Sequence, residues 1–266
     1  MRIAVAGILA AFALGVAAAV SAQGPAPTVT VTASGTALSL DVSGPLQAGP
    51  TRFEVVRAGD APAEIAIGAL RPAVTLDQFM TAVQGDPEDA IELLNLDGGA
   101  SVSPPTRRRA VTFPLRANST YVVINIAGRR PQVTSFTVGG QANGAALPRA
   151  DASVRMIDLR FRGATRLPRR GVLRFENAGW APHFAVAAPL RRGAGRRAVG
   201  AALRRGNERR LGRLVDFRAS IEPQSLITRG AVDYNEVRFP RRGRYVMVCF
   251  FEGHDRQGMY RFVRVR

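Results

Sequence analysis

An all-β chain of two Greek-key sandwich domains, with short helices only in connections, is what this sequence predicts. Three observations carry the prediction. Short alternating apolar and polar runs broken by Gly and Pro recur from residue 28 to the end, the pattern of half-buried strands joined by turns. The length of 266 residues suits two domains, each able to bury its own core. The two halves also repeat one another. Residues 51–59 (TRFEVVRAG) lie over 172–179 (VLRFENAG), each followed by Ala-Pro, and 121–125 (YVVIN) lie over 245–249 (YVMVC).

In chain order, residues 1–22 read as an export signal: Arg2 precedes an unbroken apolar stretch, and Val20-Ser21-Ala22 resembles a small-residue cleavage site. The competing reading is an uncleaved membrane anchor. With the signal removed, the protein is expected to be periplasmic, attached to the cell envelope, or extracellular. A first β-domain is expected over 27–139, with strands at 29–32, 38–42, 51–56, 110–115 and 121–126. A helix is expected at 75–84, because Thr75 and Gln78 have capping-box spacing and Leu76, Phe79, Met80 and Val83 share one face. The acidic run at 86–89 reads as a solvated turn or helix start. The Gly-, Ala- and Asn-rich segment at 140–150 reads as a linker. The second domain, 151–266, is expected to hold strands at 155–161, 171–177, 184–187, 235–239, 244–250 and 260–265. Between Pro189 and Phe217 it carries an Arg-rich insertion whose Val199, Ala202, Leu203, Leu211 and Leu214 approximate a helical stripe, the mark of a helix lying on the sandwich. The alternatives for this insertion are an electropositive docking surface and an amphipathic membrane contact.

All of the basic residues are arginine, and the net charge is +17. Coding bias accounts for such a composition, and the surface it produces attracts anionic partners: an acidic redox protein, anionic cell-envelope polymers or lipid headgroups. No nucleic acid partner is expected, since the arginines are scattered and accompany no recognition motif.

Metal-ligand chemistry is scarce and gathered. The single Cys and both His residues fall in one pattern, Asn177-x5-His183 followed by Cys249-x4-His254-x4-Met259. One thiolate, two imidazoles and one thioether form the ligand set of a mononuclear blue-copper centre. A lone thiol in an oxidising compartment also has no disulfide partner in its own chain, and metal ligation explains its presence. Laid over His183 and Cys249, the first half has Ala63 and Asn125, so it is not expected to bind the same ion.

These residues resemble the cupredoxins, with a ligand loop similar in length to that of rusticyanin and the sulfocyanins; Phe184 departs from the polar residue many members place after the first histidine. The resemblance covers residues 151–266 with ligands and 28–138 as an echo without them. It implies one copper ion per chain, held by His183, Cys249 and His254 with Met259 axial, and an electron leaving through the edge of His254. The expectation is therefore an exported one-electron carrier between redox partner proteins. With both histidines committed to one ion, the chain is not expected to be an enzyme, a multicopper oxidase or a copper nitrite reductase included. The alternatives left open are a site for another metal such as zinc, a copper carrier or store without redox turnover, and an envelope scaffold with a vestigial site.

Overall fold

The computed structural model describes residues 24–42, 44–85, 87–128 and 130–266. The expected signal at 1–22 and Asp86 of the acidic run lie outside them. The first half runs β1 (Thr28–Ala33), β2 (Leu38–Val42), β3 (Gln47–Arg57), β4 (Ala63–Leu70), α1 (Leu76–Gly85), α2 (Pro87–Glu92), β5 (Leu94–Val102), β6 (Arg108–Leu115), β7 (Ser119–Asn125) and β8 (Gln132–Ala142). The second half runs β9 (Ala152–Ile157), β10 (Arg160–Gly163), β11 (Arg166–Leu167), β12 (Arg170–Asn177), β13 (His183–Pro189), α3 (Arg196–Arg204), α4 (Glu208–Leu214), β14 (Ile221–Ile227), β15 (Val232–Arg238), β16 (Gly243–Val248) and β17 (Tyr260–Val265).

The halves repeat one topology. β1 pairs in parallel with β3 and antiparallel with β2, as β9 does with β12 and β10. β3–β6, β4–β5, β4–β7 and β7–β8 correspond to β12–β15, β13–β14, β13–β16 and β16–β17. Each half closes its own core between two sheets. Phe53, Phe113, Ile65 and Tyr121 fill the first, and Phe175, Leu173, Phe239 and Tyr245 the second. Alternation causes this: β3 shows strict buried and half-buried turns from Thr51 to Arg57, so one strand face enters the core and the other meets solvent.

Helices cover one outer sheet face in each half. α1 starts on the expected capping box, with Thr75 N donating to Gln78 Oε1 at 2.8 Å and Gln78 N to Thr75 Oγ1 at 3.2 Å. Its Phe79 packs on Leu94, Leu96, Val122 and Ile124. The Arg-rich insertion folds as α3 and α4, whose Val199, Ala202, Leu203 and Leu211 pack on Val246 and Val248 of β16. Its apolar stripe is spent on the protein's own sheet.

Three expectations are corrected. The chain between the halves does not loosen at residue 140, because β8 continues to Ala142 and Asn143 Nδ2 donates to the Pro50 carbonyl at 2.9 Å. The strand expected at 155–161 is a hairpin, β9 and β10, with Leu159 turning at φ 63°. No strand is expected from the sequence where β4, β5, β8 and β14 lie. The halves also share a seam: β15 pairs with β6 through Tyr234–Thr112 and Asn235–Val111, and Thr228 N of the segment after β14 donates to the Leu96 carbonyl of β5 at 2.9 Å.

Candidate metal centre

β13 begins at His183 and β16 ends one residue before Cys249, on adjacent antiparallel strands. The segment leading to His183 is tied down by Asn177. Its Nδ2 donates to the carbonyls of Ala181 at 2.8 Å and Ile227 at 2.9 Å, and its Oδ1 accepts from Gly179 N at 3.0 Å. Asn177 is fully buried, so these bonds fix the backbone from which His183 enters the core.

The loop after Cys249 is a sequence of tight turns. A single helical turn spans Phe251–Gly253, and Gly253 and Gly258 take φ of +77° and +106°, a region that disfavours residues with a Cβ. Cys249 N donates to the Met259 carbonyl at 3.1 Å and Met259 N to the His254 carbonyl at 2.8 Å, which closes the loop onto the start of β17. His254 is thereby folded back over Cys249.

The result is a buried group. The donor atoms of His183, Cys249 and His254 all lie within 4.8 Å of one another. His183 Nδ1 is 3.2 Å from His254 Nδ1, and Cys249 Sγ is 3.6 Å from His254 Nδ1. Donors each held about 2.0–2.3 Å from one first-row ion stand roughly 3–4 Å apart, so the spacing fits a single ion among the three. Met259 is fully buried and packs in the same core cluster as Cys249. His183 and Cys249 are 0% exposed and His254 5%. His254 is the only one of the three whose edge reaches solvent.

Electrostatics favours the ligand forms of the imidazoles and makes the thiol depend on a partner. Burial pushes His183 down to about 4, and the neighbouring His254 adds to it; burial also lowers His254. Both rings are neutral at pH 7 with a lone pair to give. Burial raises the Cys249 thiol, while the backbone N–H groups of Phe184 and Phe251 pull it back. A cation taking the sulfur lone pair supplies what the apolar surroundings withhold. Phe184, whose side chain is apolar, thus serves the site through its backbone. His183 Nε2 has no hydrogen-bond partner.

The first half shows what the same framework becomes without ligands. Ala63 opens β4 as His183 opens β13, and the register Ile65–Asn125 places Asn125 where Cys249 stands. Asn125 Oδ1 accepts from Glu64 N at 3.0 Å and Nδ2 donates to Gln132 Oε1 at 2.9 Å. Amide hydrogen bonds close the loop that a metal would hold.

Two residues beside the site escaped the sequence reading. Asp158, at the β9–β10 turn, accepts from Trp180 N at 2.8 Å and so braces the His183 segment from the other side. Trp180, the single Trp of the chain, is 72% exposed on that segment. Its being the single Trp is the one signal by which the sequence could have marked it; nothing local marks Asp158.

Comparison with solved structures found cupredoxin-type copper proteins. Auracyanin B is 23% identical, with a TM-score of 0.30, over 46% of this chain and 93% of its own. Auracyanin A, a blue copper protein from Chloroflexus aurantiacus, is 17% identical over 43% and 96%, with a TM-score of 0.29. The copper nitrite reductase of Nitrosomonas europaea is 12% identical over 90% and 93%, with a TM-score of 0.26. No family model and no curated protein matches the chain. With identities and scores this low, the architecture rests on the strand pairing described above and the chemistry of the site on its own geometry. The expectation that the chain is not an enzyme is withdrawn, because the structures aligned along both halves are those of enzymes, the nitrite reductase and multicopper oxidases. Counting histidines bounds the histidine-held centres within one chain; it does not bound where a centre's electron goes. No helix among the described residues is long and apolar enough to cross a membrane.

Proposed function

We propose that this chain is an exported protein that binds one copper ion at His183, Cys249 and His254, with Met259 as a weaker fourth donor, and passes single electrons. The buried approach of two neutral imidazoles and one thiol, with nitrogen and sulfur separations of 3.2 and 3.6 Å, carries this reading. When bound, copper supplies a one-electron couple tuned by soft sulfur and imidazole ligands. The chain supplies the rest. Asn177 holds His183 from one strand, and the two backbone bonds of Met259 hold the Cys249–His254 loop. A framework fixed in this way resists rearrangement between oxidation states, which keeps the barrier to electron transfer small. His254 gives the shortest path to a partner, being the ligand nearest the surface.

The test is a Cu(II) titration of the purified chain followed by visible absorption and EPR, with Cys249→Ser as control. An intense thiolate-to-copper band saturating at one copper per chain and lost in the variant is the expected result. Colourless copper binding, indifferent to Cys249, would overturn the electron-transfer reading.

A further inference from the structure

β17 ends in Phe262-Val-Arg264-Val, followed by Arg266. Val263 and Val265 are buried, so Phe262, Arg264 and Arg266 lie on the opposite, outer face. The antiparallel neighbour β16 sets Arg244 opposite Arg264, and the parallel neighbour β11 sets Arg166 opposite Arg264 on the other side. Cross-strand partners share a face. Three exposed arginines therefore stand in a row across three strands, spaced by about 4.8 Å per strand. Arg196, the first residue of α3, lies over the Phe262 ring at 5.6 Å. Two adjoining grooves of about 470 and 250 Å³ share Arg264 and Arg266, and Arg242, Arg166 and Arg196 complete their basic lining.

Among the described residues no Asp or Glu side chain pairs with these charges. Arginines elsewhere pair with Glu54, Asp97, Glu176, Asp216 and Glu236, but none of Arg166, Arg196, Arg242, Arg244, Arg264 and Arg266 joins an ion pair among the described residues. Like charges directly opposite on paired strands destabilise a sheet. Arg196 and Arg197 also sit in the first turn of α3, which holds no acidic residue, at the end where the helix dipole disfavours cations. The fold bears this arrangement at a cost, and a bound polyanion reverses its sign. Guanidinium forks suit oxyanions such as carboxylate and sulfate.

We propose that this face is a docking groove for a linear acidic polysaccharide. The surroundings select that class of polyanion. Among the described residues the most exposed large apolar side chains are Ile126, Leu147, Trp180 and Phe217, and none lines the grooves; the apolar residues that do, Phe262 and Val265, are half-buried and buried. A protein partner would need an apolar centre to bury, and a bilayer would need an apolar side chain to insert. Stacking of nucleic-acid bases needs an open aromatic face, and that of Phe262 is covered by Arg196. Charge in a row is what remains. The groove stands five residues beyond Met259 on an extended strand, roughly 16 Å along β17. Polymer held there leaves the His254 end free.

The experiment is a calorimetric titration of the full chain, without added copper, with polyuronate oligomers at low and physiological salt. Saturable binding that weakens with salt is expected. R166Q/R244Q/R264Q should weaken it about tenfold or more while melting no lower than the parent, since the substitutions remove mutual repulsion. R107Q/R209Q/R229Q lowers the net charge equally at exposed arginines elsewhere and should leave affinity within about twofold. Equal loss in both variants, absence of saturable binding, or tighter binding to anionic phospholipid vesicles or to oligothymidylate would overturn the proposal. Since copper plays no part, failure of the metal reading leaves this outcome untouched.

Discussion

Asp233 ties the stability of this protein to pH in an unusual direction. It faces inward from β15 at the seam between the halves and is 0% exposed. Burial pushes its pKa up to about 8, with nearby Asp97 adding to the rise and the amides of Asn235 and Gln224 opposing it. An unfolded Asp titrates near 3.9. Between about pH 4 and 8 the folded chain therefore keeps a proton that the unfolded chain has lost, and stability falls as pH rises, by about 1.4 kcal/mol per unit. Above the folded pKa the loss is complete. Glu222, pushed up to about 7 mainly by burial, acts with the same sign up to its own pKa. Asp233→Asn keeps the shape and removes the ionisation. Urea unfolding at pH 5 and at pH 8.5 should show the variant gaining roughly 4 kcal/mol on the parent between the two conditions, with m unchanged. Parallel pH profiles for parent and variant would refute the assignment of a buried, protonated Asp233.

Asn177→Ala strips two buried carbonyls and one amide of their partners at once, which should cost about 2–4 kcal/mol in a thermal or urea melt and weaken copper binding by freeing the segment before His183. Gly98→Ala would place a methyl 2.5 Å from Phe113 Cδ1, on a ring stacked against Phe53 at 4.8 Å in the first core. Overpacking of about 1–3 kcal/mol is expected, read as a lower urea midpoint.

The strands that were hard to read from sequence are those whose surroundings are not amphipathic. β5, LNLDGGASV, is buried along nearly its whole length and carries two glycines. Those glycines admit neighbours: a Cβ at Gly98 would meet Phe113, and one at Gly99 would lie 3.0 Å from Ser225 Oγ of β14 in the other half. Neither requirement is local, so no periodicity announces it. β3, α1 and β17 were legible because one face of each meets solvent and the other a core, and the alternation or the capping box records that fact in the letters themselves.

The candidate centre divides the same way. Sequence alone determined which atoms were available: one sulfur from Cys, two imidazoles and a neighbouring thioether, spaced so that a loop returns His254 toward Cys249. It also determined that the first half offers Ala63 and Asn125 in their place. Tertiary structure decided what no spacing contains. The pairing of β13 with β16 brought His183 to the Cys249 loop from a distance of 66 residues along the chain. The register of β11, β16 and β17 aligned Arg166, Arg264 and Arg244, and the seam between the halves buried Asp233. Ligand chemistry is a property of side chains and is written residue by residue. Register, burial and the meeting of charges belong to pairs of strands, and exist only once the sheets have closed.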